Sequence, residues 1–302
     1  MDTLAQVDFL VTVTPASGRR PVIGLDGPVQ GADLCFDHHA TGDPVNLVTI
    51  PILPPVPGTL VTTMLDSDAV ISAAVLLLRA TDQGAPVHAA WPTLYEAAHY
   101  CDHLIPSGQH PLAEDTGLGL HLWLKDRGLT MGEVMAWGRA ELRAGRDGAP
   151  QVSPSPTTQS RVFAELTWAM VAAIRLGKLP SDVRYLERLE GMVKEARYSV
   201  VRKTKRVTLL APEGFIDPLA LYRVVDTDIA VRASRRPSGA WGYSIGVHPR
   251  AYRHVDLRPI LRALHLREPG WGGRANAGGS PSADGSRIEP GKLVEILDRA
   301  VP

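Results

Sequence analysis

The chain has 302 residues, 32 basic and 32 acidic side chains and 44% hydrophobic residues. That is enough apolar material for two cores, and too even a charge for a partner held by a broad basic field. Its two cysteines exclude a disulfide framework and a cysteine-rich zinc site and fit a reducing, cytoplasmic setting. No stretch approaches the roughly 18 continuous apolar residues of a membrane span, and the opening MDTLAQVDFLVTVTPASG lacks the basic start of a secretion signal. A soluble protein with no membrane partner is expected; the oligomeric state is left open.

In chain order, VDFLVTVT (7–14), PVIGLD (21–26), ADLCFD (32–37), NLVTIPIL (46–53) and GTLVTTML (58–65) read as short strands bounded by Gly, Pro and Asp. Several are nearly unbroken apolar runs, as in strands buried on both faces. DAVISAAVLLLRATDQG (68–84) then reads as an apolar helix, and PTLYEAAHYCDHL (92–104) as a second, with Pro92 in its first turn. Helical patterning continues through GLGLHLWLKDRG (117–128) and LTMGEVMAWGRAELRAG (129–145) until RDGAPQVSPSPTTQS (146–160) breaks it as a linker. SRVFAELTWAMVAAIRLG (160–177) and PSDVRYLERLEGMVKEARYSVVRKT (180–204) read as further helices. RVTLLAP, DIAVRAS and WGYSIGVH follow as strands, DLRPILRALHLR as a helix and EPGWGGRANAGGSP (268–281) as a glycine-rich loop. The expected architecture is α/β: an N-terminal parallel-sheet domain over 1–148, a helical linker over 149–205 and a smaller C-terminal α/β domain over 206–302.

The candidate chemistry concentrates at the strand ends. CFDHHATGD places Asp37, His38 and His39 at the carboxyl end of a strand, where open α/β sheets form their ligand crevice. In TTMLDSDAVISAA, Asp66 and Asp68 stand two apart at a strand-to-helix turn, close enough to repel unless a cation or donor compensates. The other reading is that Asp68 caps the helix. In AAHYCDHL, His99, Asp102 and His103 can share one helix face. Asp26 ends another strand, as an acidic ligand or as the shaper of a turn beside Gly27. Together these groups suit a two-metal carboxylate and imidazole site. Downstream, Arg235, Arg236, Trp241, His248, Arg250 and Arg253 could grip a phosphate and stack a base, or belong to an exposed hairpin.

FDHHATG resembles the signature of the DHH phosphoesterase superfamily, and GWGGRANAGGSP is similar to the glycine motif of the DHH-associated C-terminal domain. The resemblance implies a two-lobed, divalent-metal-dependent phosphohydrolase acting on a short oligonucleotide, a dinucleotide or a small phosphate ester. It makes Asp26, His38, Asp66, Asp68 and Asp102 metal ligands, with His99 or His103 filling in. Asp37 opens the catalytic triplet and His39 meets the scissile phosphate or helps hold the metal. Gly272, Gly273, Arg274, Asn276, Gly278 and Gly279 contact substrate. The implied ion is manganese, with Mg, Fe, Co or Zn as alternatives.

The chain departs from the family pattern in three places. The D-x-D element follows the DHH triplet, as in a permuted domain. Thr62 stands where that motif carries histidine, and Arg274 replaces the histidine after the glycines. The rival expectation is therefore a catalytically degraded member that binds nucleotide or nucleic acid without hydrolysis.

Overall fold

The structure, a computed structural model, describes residues 7–12, 15–16, 18–26, 29–36, 58–80, 84–125, 156–181, 183–281 and 284–301. Among these, no helix is long and apolar enough to cross a membrane. The chain divides into two compact units, Met1–Tyr185 and Leu186–Pro302, so the expected linker 149–205 spans the division.

In the first unit, strands β1 (Val7–Val11), β2 (Val22–Leu25), β3 (Leu34–Phe36) and β4 (Gly58–Thr62) form a parallel sheet in the order β1-β4-β2-β3. The expected strand at 46–53 lies outside the described residues, as do the triplet Asp37, His38 and His39 and the helix expected over 129–145. β2 and β4 are buried at every position, which the unbroken apolar runs anticipate for inner parallel strands.

Helix α1 (Ser67–Ala80) follows β4 directly and is buried from Ser67 through Leu78. It packs in one core with β1, β2 and β4, with α2 (Gly84–His103) and with α4 (Pro156–Arg175). Phe163 of α4 meets Phe9 of β1 edge to face at 5.3 Å. Helix α3 (Glu114–Leu124) lies against α2 closely enough that a Cβ on Gly117 would strike Glu96.

Two sequence expectations are corrected here. Helix α2 starts at Gly84, so Pro92 sits inside it and not in its first turn. The missing N–H costs one helical hydrogen bond, a loss offset because Val87, Leu94, Ala97 and Ala98 are all buried in the core on both sides of it. The stretch 156–160, expected as linker, is the first part of α4. Pro156 occupies its first position, where proline's fixed φ suits a helix and its lacking N–H would be unpaired anyway.

The second unit carries a mixed sheet in the order β5-β6-β7-β8-β10-β9. Its strands are β5 (Val200–Lys203), β6 (Val207–Leu210), β7 (Ile229–Arg235), β8 (Trp241–Val247), β9 (Gly272–Gly273) and β10 (Ala277–Gly279). β6 and β7 are parallel and the other pairs antiparallel. Helices α6 (Pro218–Tyr222), α7 (Leu257–Arg267) and α8 (Pro290–Ala300) accompany it, and α5 (Val183–Tyr198) precedes β5.

Asp217 and Asp256 cap α6 and α7 by accepting from Leu219 N and Arg258 N, each at 2.9 Å. The stripe Leu257, Ile260, Leu261 and Leu264 packs α7 into the core at helical spacing, each residue contributing roughly 2 kcal/mol. The helix expected through residue 204 ends at Tyr198, because Val200–Lys203 pair with β6 as an edge strand. The glycine-rich loop likewise contains two strands, β9 and β10, at the other edge.

Candidate functional site

Because β1 to β4 run parallel, their carboxyl ends share one edge. Leu25 is level with both Thr62 and Phe36, and Val11 is level with Thr62. The residues next along the chain are Asp26 after β2, the Asp37-His38-His39 triplet after β3, and the turn to Asp66 and Asp68 after β4. Asp26 is buried and held at a φ of 55°, a left-handed conformation that aspartate tolerates better than most side chains. Its N–H donates to Phe36 O at 3.0 Å.

Thr62, fully buried, turns its hydroxyl onto the next turn. Oγ1 donates to Met64 O at 2.6 Å and accepts from Met64 N at 3.3 Å. At the position where the resemblance calls for a histidine ligand, the side chain shapes the loop leading to Asp66.

Asp66, rather than Asp68, performs the capping job at α1. Its carbonyl accepts from Val70 N at 3.3 Å and its Oδ1 from Ala69 N at 3.2 Å. Asp68, in the first turn, accepts from the same Ala69 N at 3.2 Å, so the two carboxylates converge on one amide. Burial pushes the Asp66 carboxyl well above the usual carboxylate range. The Asp68 charge, a hydrogen bond shared with Asp68 and the Asp26 charge push the same way, while Ala69 N–H opposes them. Asp26 thus faces the pair electrostatically from the neighbouring strand.

Cys101 of α2 completes the cluster. Its Sγ lies 3.5 Å from Asp68 Oδ1, and the ligand atoms of Asp66, Asp68 and Cys101 all fall within 4.8 Å of one another. Burial raises the thiol pKa first, then the charges of Asp68 and Asp66.

The histidines of α2 sit elsewhere. His99 Nδ1 donates to Ile105 O at 2.7 Å, and its ring stacks on His103 with centroids 4.3 Å apart and on Tyr95 at 6.2 Å. Burial and the neighbouring His103 lower the His99 pKa, against the pull of Ile105, Glu96 and Asp102. Asp102 lies 3.8 Å from His103 Nδ1. His99 and His103 are each two residues from Cys101, about 200° around the helix axis. Among the described residues, the set whose ligand atoms converge is Asp66, Asp68 and Cys101.

One further residue was not singled out in the sequence. His121 of α3 is buried, with Nδ1 3.0 Å from the hydroxyl of Ser67, the residue between the two aspartates. Its position inside the apolar run GLGLHLWL was the available signal, since a buried imidazole needs a polar partner.

In the second unit, Gly278 pairs with Gly273 and Gly279 with Gly272. A Cβ on Gly273 would collide with the Ala277 carbonyl and the Gly278 backbone, so the hairpin demands glycine there. Arg274 N donates to Ala277 O at 2.7 Å, and Asn276 O accepts from Val247 N at 2.9 Å, so backbone groups of both residues hold the turn. An open groove of about 450 Å³ runs between Arg258, Arg262 and His265 of α7 and the backbone of Gly272 and Gly273.

The Arg235 guanidinium lies 4.7 Å from the Trp241 ring centroid, at the end of a ladder that stacks Trp241 on Tyr243 and Tyr243 on Trp271. Arg236 donates to Pro281 O at 3.3 Å. His248 is buried and accepts from Arg250 N at 3.3 Å at the start of a short 3₁₀ turn.

No protein-family model and no curated protein matches the chain. Among solved structures, two weak similarities are as follows. One is described as a pGpG-specific phosphodiesterase, PggH, from Vibrio cholerae, at 15% identity and a TM-score of 0.46, over 93% of this chain and 86% of that one. The other is an uncharacterized protein from Helicobacter pylori G27, at 12% identity and a TM-score of 0.23, over 91% and 76%.

Proposed function

We propose that the chain is a divalent-metal-dependent phosphodiesterase acting on a short oligonucleotide, a dinucleotide or a small phosphate ester. The observation that supports this most directly is the convergence of Asp66 and Asp68, with Asp26 facing them, at the carboxyl edge of a parallel sheet. Phe36, level with Leu25 at that edge, is followed in sequence by Asp37, His38 and His39. Burial and the neighbouring Asp68 charge, which together hold the Asp66 carboxyl above its usual range, are what a bound cation relieves, so the donor set fits a divalent ion held by Asp66 and Asp68. When bound, such an ion supplies activation of a water and neutralisation of phosphoryl charge.

The chain's own residues do the positioning. The Ala69 amide fixes one oxygen of each aspartate, and the Thr62 hydroxyl fixes the turn that delivers them. His38 and His39 are the candidates to complete the ligand set and to meet the scissile phosphate. In the second unit, the basic groove beside Gly272 and Gly273 is a surface suited to a phosphate or base.

The test is hydrolysis of a 5′-phosphorylated dinucleotide by chelator-stripped protein with Mn²⁺, Mg²⁺, Co²⁺ or Zn²⁺ restored. Asp66→Asn and a double Asp37→Ala, His38→Ala variant run beside it. Expected is turnover that requires a restored ion and is lost in both variants. Turnover that survives chelation, or that both variants retain, overturns the reading.

A second reading is favoured by Thr62, whose hydroxyl is committed to the turn where a ligand histidine is expected. On that reading the chain binds nucleotide without cleaving it. Nucleotide binding indifferent to chelator, from folded protein with no turnover under any ion, would support the binder.

A further inference from the structure

We propose that Cys101 is a thiolate ligand of the ion held by Asp66 and Asp68, and that the centre is therefore built for a zinc-like ion in preference to magnesium or manganese. This rests on the metal-centre reading above and adds to it a donor and a metal class.

The argument is geometric. Three ligand atoms from two different helical elements meet within 4.8 Å of one another, with Cys101 arriving from α2 and the aspartates from the start of α1. A tetrahedral ion with sulfur at about 2.3 Å and carboxylate oxygen at about 2.1 Å separates those two ligands by about 3.6 Å. Cys101 Sγ and Asp68 Oδ1 stand 3.5 Å apart. The hydrogen bond that the thiol donates to Asp68 thus holds the pair at the spacing of two corners of such a polyhedron. Cys101 reaches this place by helical spacing, following Leu94, Ala97 and Ala98 along the stripe of α2 that is buried in the first unit's core.

Protein donors of carboxylate and sulfur type, with one position kept for water or substrate, are typical of hydrolytic zinc centres. On binding, the S–H bond breaks, the proton leaves to solvent and the sulfur lone pair goes to the ion. Thiolate favours Zn²⁺, Co²⁺ and Fe²⁺ and is a poor partner for Mg²⁺. The chain thereby answers the loss of an imidazole at Thr62 with a sulfur from another element.

The experiment titrates Co²⁺ into the reduced, chelator-stripped full chain under anaerobic conditions and records its spectrum. Expected is a sulfur-to-cobalt charge-transfer band in the near ultraviolet that saturates together with the visible cobalt bands. Cys101→Ser should lose the charge-transfer band while Cys35→Ser keeps it. Cys101→Ser should also weaken Zn²⁺ by roughly tenfold or more and change Mg²⁺ by less than about twofold.

Because a variant can fail by misfolding, the unmodified chain gives a second readout. Zn²⁺ should protect the Cys101 thiol, and not that of Cys35, from alkylation measured by peptide mass. Cobalt bound with visible bands that Asp66→Asn removes, but without charge transfer or thiol protection, overturns the thiolate ligand and leaves the metal centre standing. No cobalt bound at all overturns both.

Discussion

His248 shows how one titratable group is fixed by its neighbours. Nδ1 accepts from Arg250 N, and Nε2 faces Tyr222 O at 3.3 Å, so the ring is neutral with its proton on Nε2. Burial and the Arg250 charge lower its pKa from 6.5, partly opposed by Tyr222 O and Asp228. The unfolded chain therefore takes up the proton first as pH falls. The stability His248 contributes is present above about pH 6.5 and is lost as pH falls through the lower folded value. His248→Asn keeps an acceptor for the Arg250 amide and removes the titration. The variant should lose less stability than the parent between pH 7 and pH 5, read as the shift in urea midpoint.

At the same scale, the legibility of the candidate site was uneven. Asp66 and Asp68 were readable because their spacing at a strand-to-helix turn implies close carboxylates, and the structure sets both on Ala69 N. With only two cysteines in the chain, composition argues against a cysteine-rich zinc site, and on α2 the residues whose type suggests a ligand are His99 and His103. Only the helix phase decides between these and Cys101. It was present in the sequence, since Leu94, Ala97, Ala98 and Cys101 fall at helical spacing on one apolar stripe. Which partner that stripe meets is a tertiary fact that spacing within one helix does not contain.

Between elements, α3 fits closely on α2. A Cβ on Gly117 would strike Glu96 Cβ and approach Ala97 N to 3.2 Å, and one on Gly119 would run into Ser181. The position of Glu96 Cβ is set by the backbone of α2, so no rotamer change relieves the first clash. Gly117→Ala should destabilise the protein by roughly 1–3 kcal/mol, as overpacking usually does, measured by chemical denaturation. Since α2 also carries Cys101, the displaced helix should weaken binding of Zn²⁺ more than of Mg²⁺.

Elements with a strong local pattern, the unbroken apolar run of α1 and the stripe of α7 above all, were legible in outline. The misread ones depended on distant partners. Val200–Lys203 continue a helical pattern in sequence and become a strand through pairing with β6, and the glycine stretch becomes a hairpin through pairing with β8. Pro92 suggested a helix start that the buried residues on both sides of it override.

Across the whole molecule, each unit closes its own core. Val207, Ile229, Tyr243, Leu261 and Leu297 belong to one cluster that draws only on the second unit. A fragment beginning at residue 183 should therefore fold cooperatively alone, seen as a single thermal transition and dispersed amide resonances. A chain that remains unstructured under those conditions would show that the second unit needs the first. The edge strand β5 bears on a different property of the molecule. Val200–Lys203 are exposed at all four positions, with a register shift between Val200 and Arg202. Arg202 is drawn to Gly291 O at 3.1 Å, and Lys203 to Asp226 at 2.6 Å. A kinked, cationic border makes a poor template for another chain to extend the sheet. The consequence is colloidal: where one copy meets another at this border, the guard against fibre growth is a local irregularity and two ion-paired side chains whose partners would have to be given up.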